Sequence, residues 1–489
     1  MILRTRFSVR VPMLRRQQVD KTRTQGSGRI NSPTLLLLLL LSAGTASAGT
    51  LQTLCTFDEP TTPGRRPYAG VLSTAKGFLY GTTFQGGAGS GGTVFKLKSD
   101  GSSYSVLHLF STNPPEGQSP NGLILASDGA LYGTTAIGGQ KKAGTVYRID
   151  PDGTTYAALH QFGATPGDGQ NPQAELVEGK DGRLYGTTFF GGSGDMGTVF
   201  GLNKDGSGFQ VLNNFTGFNG DGGNPDTGLV QGSDGFLYGT TFFGGTDDLG
   251  TVFKVKTDGT GYAILHSFSK IGSDGNNPDA ALAQASDGAL YGTTAAGGTA
   301  KSGTIYKLNR DGSAYVVLHS FSNSNSDGQK PLAPLLQGAG GTLYGTTYLG
   351  GSNGSGTLFQ INQDGSGYQL VQSFDRSNGA GQNPRGALAL GGSGELYGST
   401  WAGGSQGFGI VFRLAPAAAP GVQMGRVSAA EVEVEISGEA GLQYQVQRST
   451  DLKTWQTVET VTMPPSGNHL HRDSPIPGPA ACYRVAQSP

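Results

Sequence analysis

Phe236-Leu237-Tyr238-Gly239-Thr240-Thr241 decides the fold, because it is one of seven copies. Leu-Tyr-Gly begins at Leu79, Leu131, Leu184, Leu237, Leu290, Leu343 and Leu396, at a step of 52 residues and then five steps of 53. Thr-Thr follows every copy but the last, which has Ser399-Thr400. Self-similarity at a fixed period of this length marks a repeat architecture. Working outward from this copy, four short apolar segments appear. Gly228-Leu229-Val230-Gln231 precedes it across Ser233-Asp234-Gly235, and Gly250-Thr251-Val252-Phe253-Lys254-Val255 follows a Gly-Gly loop. An Asp258-Gly259 turn then leads to Tyr262-Ala263-Ile264-Leu265-His266-Ser267-Phe268. Asp-Gly between apolar runs predicts a hairpin, since both central residues of such a turn take positive φ. Six units carry it, at Asp100, Asp152, Asp205, Asp258, Asp311 and Asp364.

Four antiparallel strands per repeat, seven times over, predict an all-β, seven-bladed β-propeller spanning 51–414. The ends of the array fit a ring. Leu51-Gln52-Thr53-Leu54-Cys55-Thr56-Phe57 has the fourth-strand pattern but stands before the first unit. The seventh unit stops after its third segment, Gly409 to Leu414. A ring closed by the N-terminal strand would remove two open sheet edges. Composition agrees with a turn-rich β protein. Of 489 residues 84 are Gly, without a three-residue period, and only 14% are charged. Collagen, a disulfide scaffold and a helical bundle are all excluded by these numbers and by the two Cys.

The recurrent Asp-Gly-x-Leu-Tyr-Gly-Thr-Thr, Gly-Thr-Val-Phe-Lys-Leu and Leu-His-Ser-Phe segments resemble the GloVer (Gloeo/Verruco) tandem-repeat family over roughly 51–414. Its members are described as choice-of-anchor proteins, exported bacterial repeats with varied C-terminal anchoring segments. The resemblance implies export and surface association. It supplies no catalytic residue. After residue 415 this chain departs from the pattern, with no apolar span followed by a basic tail.

The N-terminus reads as a secretory signal over 1–48. Eight basic residues and one acid, Asp20, precede Leu35–Leu41, and Ala46-Ser47-Ala48 offers a small-residue cleavage site. Removing it leaves 26 basic and 34 acidic residues, a net charge of −8. Nucleic acid is therefore not expected as a partner, and no transmembrane span is expected in the mature chain. Residues 415–421 read as an Ala/Pro linker. Beyond them Glu431–Ile436, Tyr444–Arg448, Thr457–Val461 and Cys482–Val485 alternate as half-buried strands, so 422–489 are expected to form a small β-sandwich similar to fibronectin-III-like modules.

Candidate chemistry is sparse. His108, His160, His266 and His319 share one repeat position, also held by Asn213, Gln372 and Cys55. They lie on fourth strands of different blades and cannot converge on one metal, whose ligands must meet at ~2 Å. His469 and His471 lie in the tail. Acids recur before each first strand as Glu116, Asp168, Asp221, Asp274 and Asp327, in an Asp-Gly-x-Asn-Pro pattern complete at 168–172, 221–225 and 274–278. The plain reading is a turn with Asp bonded to its own backbone. The functional one is a ligand-facing rim at Asp168, Asp221 and Asp274, with Ca2+ as a conceivable cofactor. The loops after the second strands carry Phe84, Phe190, Phe243, Tyr348 and Trp401, rings suited either to fill space between blades or to grip a sugar or peptide. Gly-x-Ser-x-Gly matches at 350–354 and 403–407, and Gly-x-Gly-x-x-Gly at 87–92, lack the helix those motifs require. Cys55 and Cys482 would be free to pair in an exported chain.

The expected role is that of a secreted, periplasmic or cell-surface, monomeric and non-enzymatic module that binds glycan or extracellular protein. An enzyme acting on extracellular polysaccharide and a purely structural surface protein stand beside it. The enzyme would need non-repeated carboxylates, His or Tyr in the central funnel.

Overall fold

The computed structural model describes residues 49–58, 63–113, 115–376, 379, 381–415, 421–427, 432–437, 443–449, 454–464, 466, 468–473 and 482–487. Residues 1–48, read above as a secretory signal, and 416–420, read as part of a linker, lie outside them. The chain divides into two units, one ending at Ala419 and the other running from Pro420 to Pro489. No helix among the described residues is long and apolar enough to cross a membrane.

The first unit is a seven-bladed β-propeller of antiparallel sheets, four-stranded in six blades and five-stranded in the seventh. In the fourth blade the strands are Val230–Gln231, Phe236–Thr241, Thr251–Lys256 and Ala263–Ser267, paired in chain order. The quoted stretch is the second strand, with Tyr238 opposite Lys254 and Gly239 opposite Phe253. That register explains the glycine of Leu-Tyr-Gly. A Cβ on Gly239 would stand 2.6 Å from Cζ of Phe253, whose ring fills the space.

The two threonines have different tasks. The second, Thr241, shares a hydrogen bond with Thr251 on the third strand at 2.8 Å. The first reaches the neighbouring blade: Thr187 Oγ1 donates to the carbonyl of Thr227 at 2.8 Å, and Thr134 to that of Ala174 at 2.7 Å. In the fourth blade the first strand pairs only over Val230–Gln231, shorter than the 228–231 expected, whereas in the second it runs over Gly117–Leu125.

The N-terminal strand Leu51–Thr56 pairs antiparallel with Ile410–Leu414, outermost in the sheet of the seventh blade. Its register shifts between Thr53 and Cys55, as the other fourth strands shift, for example beside Val252 and Phe253. First and last blades also meet further in. Ser399 Oγ donates to the carbonyl of Ala69 at 2.8 Å, and Gly409 faces Pro67 as Gly250 faces Pro278. One apolar cluster joins Cys55, Phe57, Val71, Phe95, Tyr397 and Val411. Cys55 is a free thiol in that cluster, 7% exposed, and burial pushes its pKa up to about 12. The side chain of Cys482, read above as free to pair with it, lies outside the described residues.

The second unit holds two three-stranded antiparallel sheets. One joins Gly421–Val427, Val432–Ser437 and Asn468–Asp473; the other joins Gln456–Thr462, Gln443–Ser449 and Cys482–Gln487. The first strand starts at Gly421, inside the span read as linker. Val434, Ile436, Tyr444, Val446, Val461, Met463, Tyr483 and Val485 form its core. Asp473 is held by Arg448 at 2.7 Å and by the Tyr483 hydroxyl at 2.6 Å. His469 and His471 both meet Glu459, at 3.0 and 2.5 Å.

Candidate functional site

Each blade enters its first strand through a Pro, which in the second blade lies within the strand, and the residue after that Pro lies on the innermost segment. Read around the ring these are Tyr68, Asn121, Gln173, Asp226, Asp279, Leu332 and Arg385. Six of the seven, all but Asn121, line a cavity of about 90 Å³ together with Glu175 and the small residues beside them. The position repeats but the residue does not. No two neighbours have the same side chain except Asp226 and Asp279.

Those two carboxyls face one another, and one cation serves both. Arg385 approaches Asp279 at 3.8 Å and donates to the Tyr68 hydroxyl at 2.6 Å, with its guanidinium 4.2 Å from the centre of the Tyr68 ring. Asp226 Oδ1 is sealed from solvent without a hydrogen-bond partner. Burial, and then the facing Asp279, push the Asp226 pKa well up. Burial raises Asp279 as well, and Arg385 beside it opposes that rise, so of the two Asp226 holds a proton more readily. Burial raises Glu175 to about 7 and Tyr68 to about 12, Arg385 opposing the Tyr68 shift. Non-repeated carboxyls do then occupy the funnel, which the repeat pattern alone had not revealed. The cavity has room for a few waters, whereas ligand pockets usually run to ~300 Å³ or more.

Tyr68 connects the axis to the aromatic loops. Its ring stacks on Phe84 at 5.3 Å and meets Trp401 edge-on at 6.0 Å, while Arg66 lies 5.1 Å above the Trp401 ring. Phe84 and Trp401 thus come together at the junction of seventh and first blades. Phe190 and Phe243 stay in the third and fourth blades, each edge-on to its neighbour, Phe189 or Phe242, at 4.7 Å. They are 42% and 39% exposed. Tyr348, in the sixth blade, is half-buried. The structure therefore spreads the aromatic set around one end of the ring. Gln170, from the connection into the third blade, pairs with Phe190, so both loop types share that end.

The acids and histidines, read separately in the sequence, form one device between blades. His108 meets Glu116 at 2.6 Å, His160 meets Asp168 at 3.2 Å, His266 meets Asp274 at 3.2 Å and His319 meets Asp327 at 3.4 Å. Each His also stacks on a ring from the next blade: Tyr156, Phe209, Tyr315 and Tyr368, at 3.6–4.0 Å. The Asp oxygens accept further bonds. Gly222 and Thr216 N–H and the Tyr262 hydroxyl donate to Asp221; Gly275 and Ser269 N–H and the Tyr315 hydroxyl donate to Asp274. Asp168 is 5% exposed and takes the Gly169 N–H. Burial works against ionisation at Asp327, but bonds from His319, Tyr368 and Ser322 outweigh it and hold the pKa at about 2. These carboxylates are turned inward, onto protein donors. Among the described residues no group of three or more His, Cys, Asp or Glu is arranged to hold a metal ion.

The model of the Gloeobacter/Verrucomicrobia repeat matches residues 42–241 and 226–425. No curated protein matches. Among solved structures, the nidogen/laminin complex is similar at 16% identity and TM-score 0.38, over 60% of this chain and 90% of that one. A putative 6-phosphogluconolactonase from Bacteroides uniformis is similar at 15% identity and TM-score 0.37, over 67% and 95%. TolB from Acinetobacter baumannii is similar at 12% identity and TM-score 0.36, over 62% and 64%. Matched twice in tandem across the whole propeller, the chain belongs to the Gloeobacter/Verrucomicrobia repeat family.

Proposed function

We propose that this is an exported, non-enzymatic binding protein whose ring, closed by its N-terminal strand, presents the aromatic end to an extracellular glycan. The reading takes 1–48 as a cleaved signal and the tail as a fibronectin-III-like spacer. The observation that carries it is the set of accessible rings at one end: Phe190 and Phe243 exposed, with Phe84 and Trp401 gathered around Tyr68. Rigid rings supply contact area at low entropic cost, and aromatic residues are enriched at binding surfaces for that reason. A glycan array on the full chain tests it. Binding that disappears in a folded Tyr348→Ala, Trp401→Ala variant is the expected result. Unchanged binding by that variant overturns the assignment of the face.

A polysaccharide hydrolase is the second reading, and Asp226 with Asp279 is what favours it. Two facing carboxyls that differ in how readily they hold a proton are the groups such chemistry uses. Against it, the pair sits in about 90 Å³ of space, too little for a sugar ring and its neighbours. Release of reducing ends by the wild type, abolished in Asp279→Asn, would establish this reading.

A further inference from the structure

We propose that the ligand of the aromatic end is an anionic glycan, a chain of uronate-type sugars, laid across the blades that carry Tyr348, Trp401 and Phe84. The proposal rests on the reading that this end binds glycan, and it names the class. It starts from the position before each Pro, which is left-handed in every blade: Arg66, Ser119, Asn171, Asn224, Asn277, Lys330 and Asn383 all have φ between 52 and 57°. Asn tolerates that backbone better than most residues. It also gains a bond, because its amide donates to the loop of the preceding blade. Asn171 reaches the Ala136 carbonyl at 2.9 Å, Asn224 that of Phe189 at 2.8 Å, Asn277 that of Phe242 at 3.1 Å and Asn383 that of Tyr348 at 2.8 Å.

Arg66 and Lys330 give up that bond for a long cationic side chain on the same unfavourable backbone. Both are exposed, and among the described residues neither has an ion-pair partner. Arg385 makes the contrast, since its donors are used on Tyr68 and Asp279. The Arg66 guanidinium instead rests over Trp401, with no carboxylate to neutralise it. Lys330 stands at the junction of the fifth and sixth blades and Arg66 at that of the seventh and first, so the two cations bracket the sixth and seventh blades, which carry Tyr348 and Trp401. The rest of the mature chain is acidic, so this is a local reversal of sign. A pyranose offers an apolar C–H face to a ring and, in a uronate, a carboxylate at its edge. The planar guanidinium fork matches a carboxylate with two parallel N–H bonds. A neutral glycan would use the rings and leave both cations idle.

Affinity electrophoresis of the full chain in gels containing polygalacturonate or a neutral dextran tests this. The variant is Arg66→Asn with Lys330→Asn, which installs the residue that four other blades carry at the same φ, so the backbone is kept. Retardation by polygalacturonate, weakened by salt and cut at least ~10-fold in the double variant, is the expected result. Retardation by polygalacturonate that the double variant retains overturns the proposal. Retardation by dextran alone overturns the anionic class and leaves the glycan-binding reading standing. Retardation by neither overturns both.

Discussion

The Tyr238 hydroxyl lies in a side chain with 0% exposure and still donates, to Asp234 at 2.6 Å. Tyr132, Tyr185 and Tyr291 do the same to Asp128, Asp181 and Asp287. The Asp that shapes the turn before the second strand thus also satisfies the buried tyrosine. Both partners repeat in these four blades, so the sequence shows the residues of the pair although not their bond. The axial cluster was not, because its chemistry lies in what fails to repeat. Asp226, Asp279 and Arg385 are 53 or more residues apart and become neighbours only at the ring axis. Two pH effects follow at this scale. A depressed folded pKa stabilises above the unfolded value, near ~3.9. The Asp327 contribution is therefore complete above about pH 4 and lost as pH falls towards its folded value of about 2. Asp327→Asn should lower the melting temperature at pH 7 and leave it little changed at pH 2, as read by calorimetry. Glu175 has the opposite sign: its folded pKa of about 7 is raised, so its burden grows between about 4.5 and 7 and stays constant above. Glu175→Gln should stabilise at pH 8 by on the order of 3 kcal/mol and have no effect at pH 4. A gain equal at both pH values would show that Glu175 does not titrate there.

Strands and turns followed the sequence pattern where period and turn chemistry agreed. The second, third and fourth strands of the fourth blade fall within a residue or two of their expected bounds. The first strands vary in a way no single repeat can express: the fourth blade's is Val230–Gln231 and the second's Gly117–Leu125, although both accept a bond from a threonine of the preceding blade. In the tail, Gly421–Val427 and Asn468–Asp473 went unread. Neither alternates cleanly, and Asn468–Asp473 turns His471 and Asp473 inward to meet Glu459 and Arg448. Inter-blade contact is also an element-scale matter. Gly250 and Gly409 open their third strands at φ near +100°, and a Cβ on Gly409 would stand 2.3 Å from the Thr400 carbonyl and 2.7 Å from Pro67 Cδ. Backbone lies on one side and a neighbouring blade on the other, so neither can give. Gly409→Ala should cost at least ~2 kcal/mol in urea unfolding. Gly235→Ala makes the comparison, since its Cβ meets nothing within 4 Å and only its left-handed φ is penalised.

Across the whole molecule, the pairing of Leu51–Thr56 with Ile410–Leu414 ties the first described strand of the propeller to its last. Deleting residues 49–57 should therefore expose the Val411 edge and the Phe95 face together. The truncated chain should aggregate, or unfold at least ~10 °C lower, by light scattering and circular dichroism. A truncated ring with unchanged melting would show that the strand is dispensable. The same pairing has a consequence in time. Leu51 meets Leu414 across more of the chain than any contact within one blade spans. Contacts this distant in sequence are slow to form. During synthesis the earliest strand has no partner until the seventh blade has emerged. Until then that strand stands unpaired, open to mispairing and to proteolysis, and afterwards its edge is covered. Order of manufacture, rather than any switch, would separate a vulnerable chain from a finished one.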